Sequence, residues 1–299
     1  MPKTSTSGKS EPAVLRRRLQ RWYRENGRHN LPWRLTRDPY AVLVSEVMLQ
    51  QTQVERVLPY YEAWMARWPD FWSLASVPPS EVIREWRGLG YNRRALNLHR
   101  LAQAVAREHG GALPQEPGVL LALPGVGAYT ASAIRCFARG EQVVVADTNI
   151  ARVLARAVLG LSSQRDAPGP QLRDAGEALL PRRNARDHNL ALMDLGAMVC
   201  QARTPLCQQC PVRNHCAWFA AGRPRQVTVP AVTPRFETTA RFARGRIVDA
   251  LRECPASSEA LAAMLPESHR AKLPGYLAGL VRDGMVIESS PGTWSLPNS

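Results

Sequence analysis

Four cysteines stand within 17 residues, as Cys200-x6-Cys207-x2-Cys210-x5-Cys216. Thiolates this crowded wrap one metal centre with short loops, and a reducing compartment keeps them as ligands rather than disulfides. Two centres suit the set. Zinc takes four Cys, but zinc ribbons usually present two Cys-x2-Cys knuckles, and this run has one. An iron–sulfur cluster also takes four thiolates. Cys136 falls in an apolar helical stretch and reads as core, while Cys254 matches no ligand pattern. Amine chemistry is nearly missing. Of 39 basic residues 36 are Arg, and the three lysines are Lys3, Lys9 and Lys272. Between Lys9 and Lys272 no side chain offers an amine nucleophile.

Two carboxylates remain of interest. Glu46 lies in Ser45-Glu46-Val47-Met48-Leu49-Gln50-Gln51-Thr52-Gln53-Val54, where on general grounds it reads as a surface or salt-bridged acid. Asp147, in Val145-Ala146-Asp147-Thr148-Asn149-Ile150, opens the helical pattern Ile150 to Leu159, and Asp at that place is most often an N-cap. Between two helical patterns stands Leu123-Pro124-Gly125-Val126-Gly127-Ala128-Tyr129-Thr130-Ala131. Pro124 ends the first helix, and Gly125 and Gly127 admit backbone conformations that side chains block. The next helix, from about Ala128, presents free N–H groups that suit a phosphate; a tight helix connector is the plain alternative.

The elements that must carry these residues are helical. Val14, Leu15, Leu19, Trp22 and Tyr23 mark one helix, and Val42, Leu43, Val47 and Met48 a second that starts after Asp38-Pro39. Pro78-Pro79-Ser80-Glu81 starts another, and Ala95 to Ala106 keeps the same period. The short run Gln142 to Val145 is the one β-like stretch in this part. The body is therefore all-α. We expect a disordered leader at 1–11, a helical core at 12–222 with the cysteine loop at 200–216, a linker at 223–234, and a C-terminal module at 235–299. That module reads as three helices with a terminal hairpin, a winged-helix-like pattern.

The 299 residues carry 45% hydrophobic residues and a formal charge of +14, which excludes wholesale disorder and points to a polyanionic partner. No stretch of 18 apolar residues exists, so no membrane span is expected. Met1 to Glu11 lacks the apolar core of a signal peptide; with the thiol cluster and a DNA-like polyanionic partner, cytoplasmic, nucleoid-associated localisation is expected, and separately a monomer.

The LPGVGA hairpin followed by Asp147 resembles the helix-hairpin-helix of the endonuclease III superfamily of DNA base-excision glycosylases. The Cys200 to Cys216 spacing resembles that superfamily's [4Fe–4S] loop, and the cofactor implied is that cluster. Ser45 to Val54 resembles the MutY-type adenine DNA glycosylase signature, Gly88-Leu89-Gly90-Tyr91 with Arg93 and Arg94 resembles that family's wedge, and Leu31-Pro32-Trp33-Arg34 the start of its domain. Together these motifs cover roughly residues 15 to 220.

The resemblance implies roles. Glu46 becomes the general acid that protonates adenine, and Asp147 the ionised partner of a cation-like sugar. Tyr129 and Asn149 hydrogen-bond around them. Gly125, Val126 and Gly127 bind DNA, Gln51 enters the duplex near the extruded base, and Tyr91 stacks beside the opposing oxidised guanine. Trp33, Arg34, Val54 and Leu190 belong to the base pocket. Bifunctional relatives carry a lysine where Tyr129 stands, so a monofunctional hydrolase is implied. Its partner is double-stranded DNA with adenine opposite 8-oxoguanine or guanine. Two departures bear on this. The 235–299 segment does not look like the larger β-rich C-terminal domain of that family. Leu190 stands where Gln or Glu is usual, as in thymine mismatch glycosylases. A thymine/uracil mismatch enzyme of the same superfamily is therefore the alternative, with a non-catalytic DNA-binding protein behind it.

Overall fold

The computed structural model describes residues 11–224 and 234–297. The expected leader, Glu11 apart, and most of the expected linker lie outside them. The described residues are mainly helical, with one small sheet near the C-terminus. They form two compact units, drawn from Met1–Val42 with Ala128–Val229 and from Leu43–Gly127 with Pro230–Ser299.

In the first unit the helix Pro12–Asn26 buries Leu15, Leu19 and Tyr23, spaced by four, and leaves Arg17 and Arg18 exposed. Their core partners include Phe137, Ile150, Leu154, Leu190 and Leu195. The β-like run Gln142 to Val145 forms no strand. The buried Asn189 amide does what a neighbouring strand would do: it accepts from Val145 N–H (2.9 Å) and donates to Val143 carbonyl (3.0 Å). A lone extended segment thus keeps its buried backbone groups paired without a sheet. The helices Ala128–Ala133 and Ala185–Asp194 run on into π-helical turns, Ile134–Ala138 and Leu195–Val199. Gly196 sits in the second of these. A Cβ there would lie 2.6 Å from Asn149 Cβ, so only glycine lets the two backbones meet.

The second unit begins within the helix Pro39–Leu49 and includes Val54–Arg67, Pro79–Glu85 and Arg93–His109. The C-terminal segment belongs to it. Helices Ala240–Glu253, Ser258–Ala263 and Leu273–Asp283 follow the expected three. Strands β1 (Ala256–Ser257), β2 (Ile287–Ser290) and β3 (Thr293–Ser295) form an antiparallel sheet in the order β1-β3-β2. The sheet qualifies the all-α expectation, and β1 extends the expected hairpin. Ile83 and Leu96 share one core with Ile247, Leu251, Leu277 and Leu296. The buried Arg252 joins the same parts, donating to Ile83 carbonyl (2.9 Å) and Asn92 Oδ1 (3.0 Å).

Candidate active site

Asp147 caps the helix Thr148–Ala157, its Oδ1 accepting from Ile150 N–H at 2.6 Å. Its other oxygen accepts from Asn149 Nδ2 at 2.9 Å. Asn149 is aimed in turn by Arg152, whose Nη2 donates to Asn149 Oδ1 (2.8 Å) and to Gly196 carbonyl (2.7 Å). Arg152 is 6% exposed, so this relay is sealed from water on one side. A cap hydrogen bond by itself favours ionised Asp147. Burial outweighs it: desolvation raises the carboxyl above its ordinary value, against the opposing pull of Ile150, Asn149 and the Arg152 charge. Arg152 carried no functional signal in the sequence; its place five residues after Asp147 on the same helix was the available clue.

The cysteine loop adjoins this relay. Arg152 Nε donates to Cys200 carbonyl (2.7 Å), and Arg156 reaches Cys200 Sγ (3.5 Å) and the carbonyls of Gln201 and Ala202. Burial first, and then nearby Cys200, Cys216 and Cys207, push the Cys210 thiol up to about 12. Burial, Cys200 and Cys207 also raise Cys216. The four sulfurs therefore share one neighbourhood. Among the described residues no group of His, Cys, Asp or Glu converges closely enough to hold a metal ion. Cys136 is buried core, its thiol pushed up to about 11 by desolvation.

The other candidates of the first unit lie in its core or against it. Tyr129 is half-buried against the core that contains Leu190 and Ile150. Leu190, 5% exposed, is a member of that core. Trp33 is buried, and Arg34 is committed to Asp194 in a two-toothed pair (2.7 and 2.9 Å) that Arg28 joins.

In the second unit Glu46 is buried, 7% exposed, on the helix Pro39–Leu49. That helix ends in a loop where Gln51 has φ 57°, and Tyr91 in the Gly88–Tyr91 loop has φ 48°. Both are non-glycine residues in the region that favours glycine, and both side chains are exposed. One residue holds both loops. Arg94 Nη1 donates to the carbonyls of Val47, Met48 and Gln50 (2.7, 3.0 and 2.6 Å). Its Nη2 donates to the carbonyls of Leu89 and Gly90 (3.1 and 3.0 Å) and to Thr52 Oγ1 (3.3 Å). Burial draws the Arg94 guanidinium down to about 10, which leaves it charged at neutral pH. Val54 opens the helix Val54–Arg67 and is half-buried.

The hairpin loop lies between the helices Pro117–Ala122 and Ala128–Ala133. Gly125 has φ 79°, and a Cβ there would meet Asn97 Cβ at 2.9 Å. Val126 is buried and donates to Leu123 carbonyl (3.1 Å). Gly127 differs from expectation: its φ is not positive and a Cβ would meet nothing within 4 Å. The fold itself does not demand glycine at 127.

Comparison with known proteins adds to this geometry. The HhH-GPD superfamily base excision DNA repair protein family matches residues 44–169. An adenine DNA glycosylase of Mycobacterium tuberculosis is 42% identical over 287 residues, 93% of this chain and 92% of that protein. The structure of a thermostable thymine-DNA glycosylase aligns with a TM-score of 0.65 and 32% identity, over 71% of this chain and 97% of that one. An endonuclease III trapped on DNA as a covalent intermediate aligns with a TM-score of 0.60 at 20% identity, over 71% of this chain and 99% of that one, which shows the shared fold.

Proposed function

The chain belongs to the adenine DNA glycosylase family within the HhH-GPD superfamily of base excision repair proteins, and from there we propose how it acts. It is an adenine-specific DNA glycosylase that hydrolyses the bond between adenine and deoxyribose where adenine faces 8-oxoguanine or guanine. Glu46 gives a proton to a ring nitrogen of the flipped base, the glycosidic bond breaks with its electron pair leaving on adenine, and water adds to C1′ and loses a proton. Asp147 stabilises the cation-like sugar. Asn149 orients Asp147, and Tyr129 lines the same chemistry. Gly125, Val126 and Gly127 hold a backbone phosphate, and the open space at Gly127 leaves room for its approach. The observation that carries the reading is the relay Arg152–Asn149–Asp147, an oriented, half-buried carboxylate in a chain with no lysine between Lys9 and Lys272.

Cys200, Cys207, Cys210 and Cys216 are assigned to a [4Fe–4S] cluster. When bound, such a cluster ties four thiolates into one fixed loop, and Arg152 and Arg156 brace that loop's backbone. About four iron atoms per chain are expected; stoichiometric zinc without iron in anaerobically prepared protein overturns the assignment. The helices and sheet of 235–297 read as a winged-helix-like module.

A thymine/uracil mismatch activity is the second reading, favoured by Leu190 and by the likeness to the thymine-DNA glycosylase. One gel assay separates the two: duplexes with A:8-oxoguanine, A:G, T:G and U:G mispairs, with and without hot alkali. Adenine release with strand breakage only after alkali is expected. Faster release of thymine transfers the chain to the second reading, and strong borohydride trapping overturns the monofunctional mechanism.

A further inference from the structure

We propose that the outer face of the helix Pro12–Asn26 is a further DNA contact, a strip of arginines that holds phosphates of the backbone away from the mispair. The proposal rests on DNA being the partner; it does not depend on which base is excised.

This helix turns Leu15, Leu19 and Tyr23 into the core and leaves Arg17, Arg18, Arg21 and Arg24 exposed. At about 100° per residue, Arg17, Arg21 and Arg24 fall within an arc of ~60° on the side opposite the buried three. They span ~10 Å along the helix axis. One DNA strand carries a phosphate every ~3.4 Å of duplex axis, so the strip faces about three of them.

The arginines of this face stand apart from other exposed ones. Arg67 pairs with Glu81 and Glu85 (2.6 and 3.1 Å), and Arg107 with Glu108 (2.8 Å). Arg17, Arg18, Arg21 and Arg24 have no ion pair and no side-chain hydrogen bond among the described residues. Acids are at hand. Glu25 is on the same helix, Asp174 and Glu177 are on the helix Gly169–Leu179 packed beside it, and all three are exposed. None of them forms a pair with the strip. An arginine-rich composition alone intersperses charges of both signs, as around Arg67. Like charges three and four residues apart on one face repel, and an external anion relieves that repulsion.

The form of the strip selects the anion. A single small ion is held by donors that converge in a concave site. A row of exposed guanidiniums along one helix face instead matches an extended, repeating polyanion. The inner face of the helix shares its core with Ile150 and Leu154 of the helix that Asp147 caps. The strip points away from that core, so it supplies affinity rather than chemistry. Phosphate contacts carry no sequence information, so its contribution is the same on mispaired and matched DNA.

The test uses the full-length double variant Arg17→Gln with Arg21→Gln. A second double variant, Arg67→Gln with Arg107→Gln, removes the same charge from paired positions. A third, Arg17→Lys with Arg21→Lys, keeps the charge of the strip. Kd is measured by anisotropy across a salt titration, on an A:8-oxoguanine duplex and a matched one of equal length. The strip-to-Gln variant should lower the slope of log Kd against log salt by about two on both duplexes. Binding at low salt should weaken roughly tenfold, with single-turnover adenine release at saturating enzyme unchanged. The Lys variant should restore the slope, and the paired-position variant should keep it. Gln is a good helix former and both sites are exposed, so thermal midpoints should hold; if the double variant's midpoint drops, Arg21→Gln alone replaces it, with an expected slope change of about one. A wild-type slope in the Gln variant overturns the proposal and leaves an acidic protein as the partner of the strip. An equal fall in the paired-position variant, or a Lys variant that does not recover, also overturns it. A wild type that binds as expected but releases no adenine removes the excision reading and leaves the strip standing.

Discussion

Asp147 in one unit and the Gln51 and Tyr91 loops in the other are each organised by a single arginine, and the two arginines do different work. Arg152 leaves the backbone ordinary. Asp147 keeps the extended φ of −79° of any N-cap, and what Arg152 fixes is an amide dipole, Asn149, pointed at the carboxylate. Arg94 instead gathers carbonyls from two loops and holds Gln51 and Tyr91 at positive φ with their side chains exposed. A group that must carry charge is served by oriented dipoles. A residue that must project from the surface is served by a bent backbone and a free side chain.

The largest expected effect tests the first half of that contrast. Asp147→Asn keeps an N-cap, since Asn caps as well as Asp, but removes the charge. Single-turnover adenine release should fall by roughly 10²-fold or more, with thermal midpoint and mispair Kd held. If activity survives, Asp147 is only a cap, and the relay through Asn149 serves the fold alone.

Much of this was legible in the sequence. The N-cap at Asp147, the helices after Asp38-Pro39 and Pro78-Pro79, and the three C-terminal helices follow from local capping and apolar period. What was not legible depends on contacts distant in the chain. Arg94 reaches Val47, 47 residues earlier, and Arg152 reaches Cys200, 48 later. Neither partner leaves a mark on its neighbours' pattern. The run Gln142 to Val145 misled for the same reason, because its partner is a side chain, Asn189, rather than a strand. Leu190, a base-pocket position by resemblance, packs among apolar core residues, so Leu190→Gln would bury an amide as well as alter any reader.

A second, smaller effect contrasts two buried histidines. His99 in the second unit bonds to Val77 carbonyl at 3.0 Å. His188 in the first has no partner at either ring nitrogen among the described residues, and burial draws it down to about 4. The folded chain therefore keeps His188 neutral while the unfolded chain takes a proton below pH ~6.5. Stability is full above that value and declines as pH falls toward about 4. Near pH 5 the loss from this one group is about 2 kcal/mol. Thermal melts from neutral to mildly acid pH should show it, and His188→Met should flatten the curve. An unchanged acid slope in that variant places the sensitivity elsewhere.

The smallest expected effect is also the most discriminating, because stability and function should move in opposite directions. Gln51 holds φ 57° without being glycine, a conformation that costs an ordinary residue about 1 kcal/mol or more. Arg94 maintains it through the Gln50 carbonyl on one side and Thr52 Oγ1 on the other. Gln51→Gly removes both the strain and the side chain, so chemical denaturation should show a gain of up to about 1 kcal/mol. The same variant should lose discrimination between mispaired and matched duplexes, because the projecting amide is gone. Gln51→Ala separates the two contributions: it keeps the strain, so stability should stay near wild type while discrimination is lost. If Gln51→Gly is no more stable than Gln51→Ala, the bent backbone stores no strain, and the contrast between a loop bent for exposure and a carboxylate held by dipoles reduces to a difference in side chains alone.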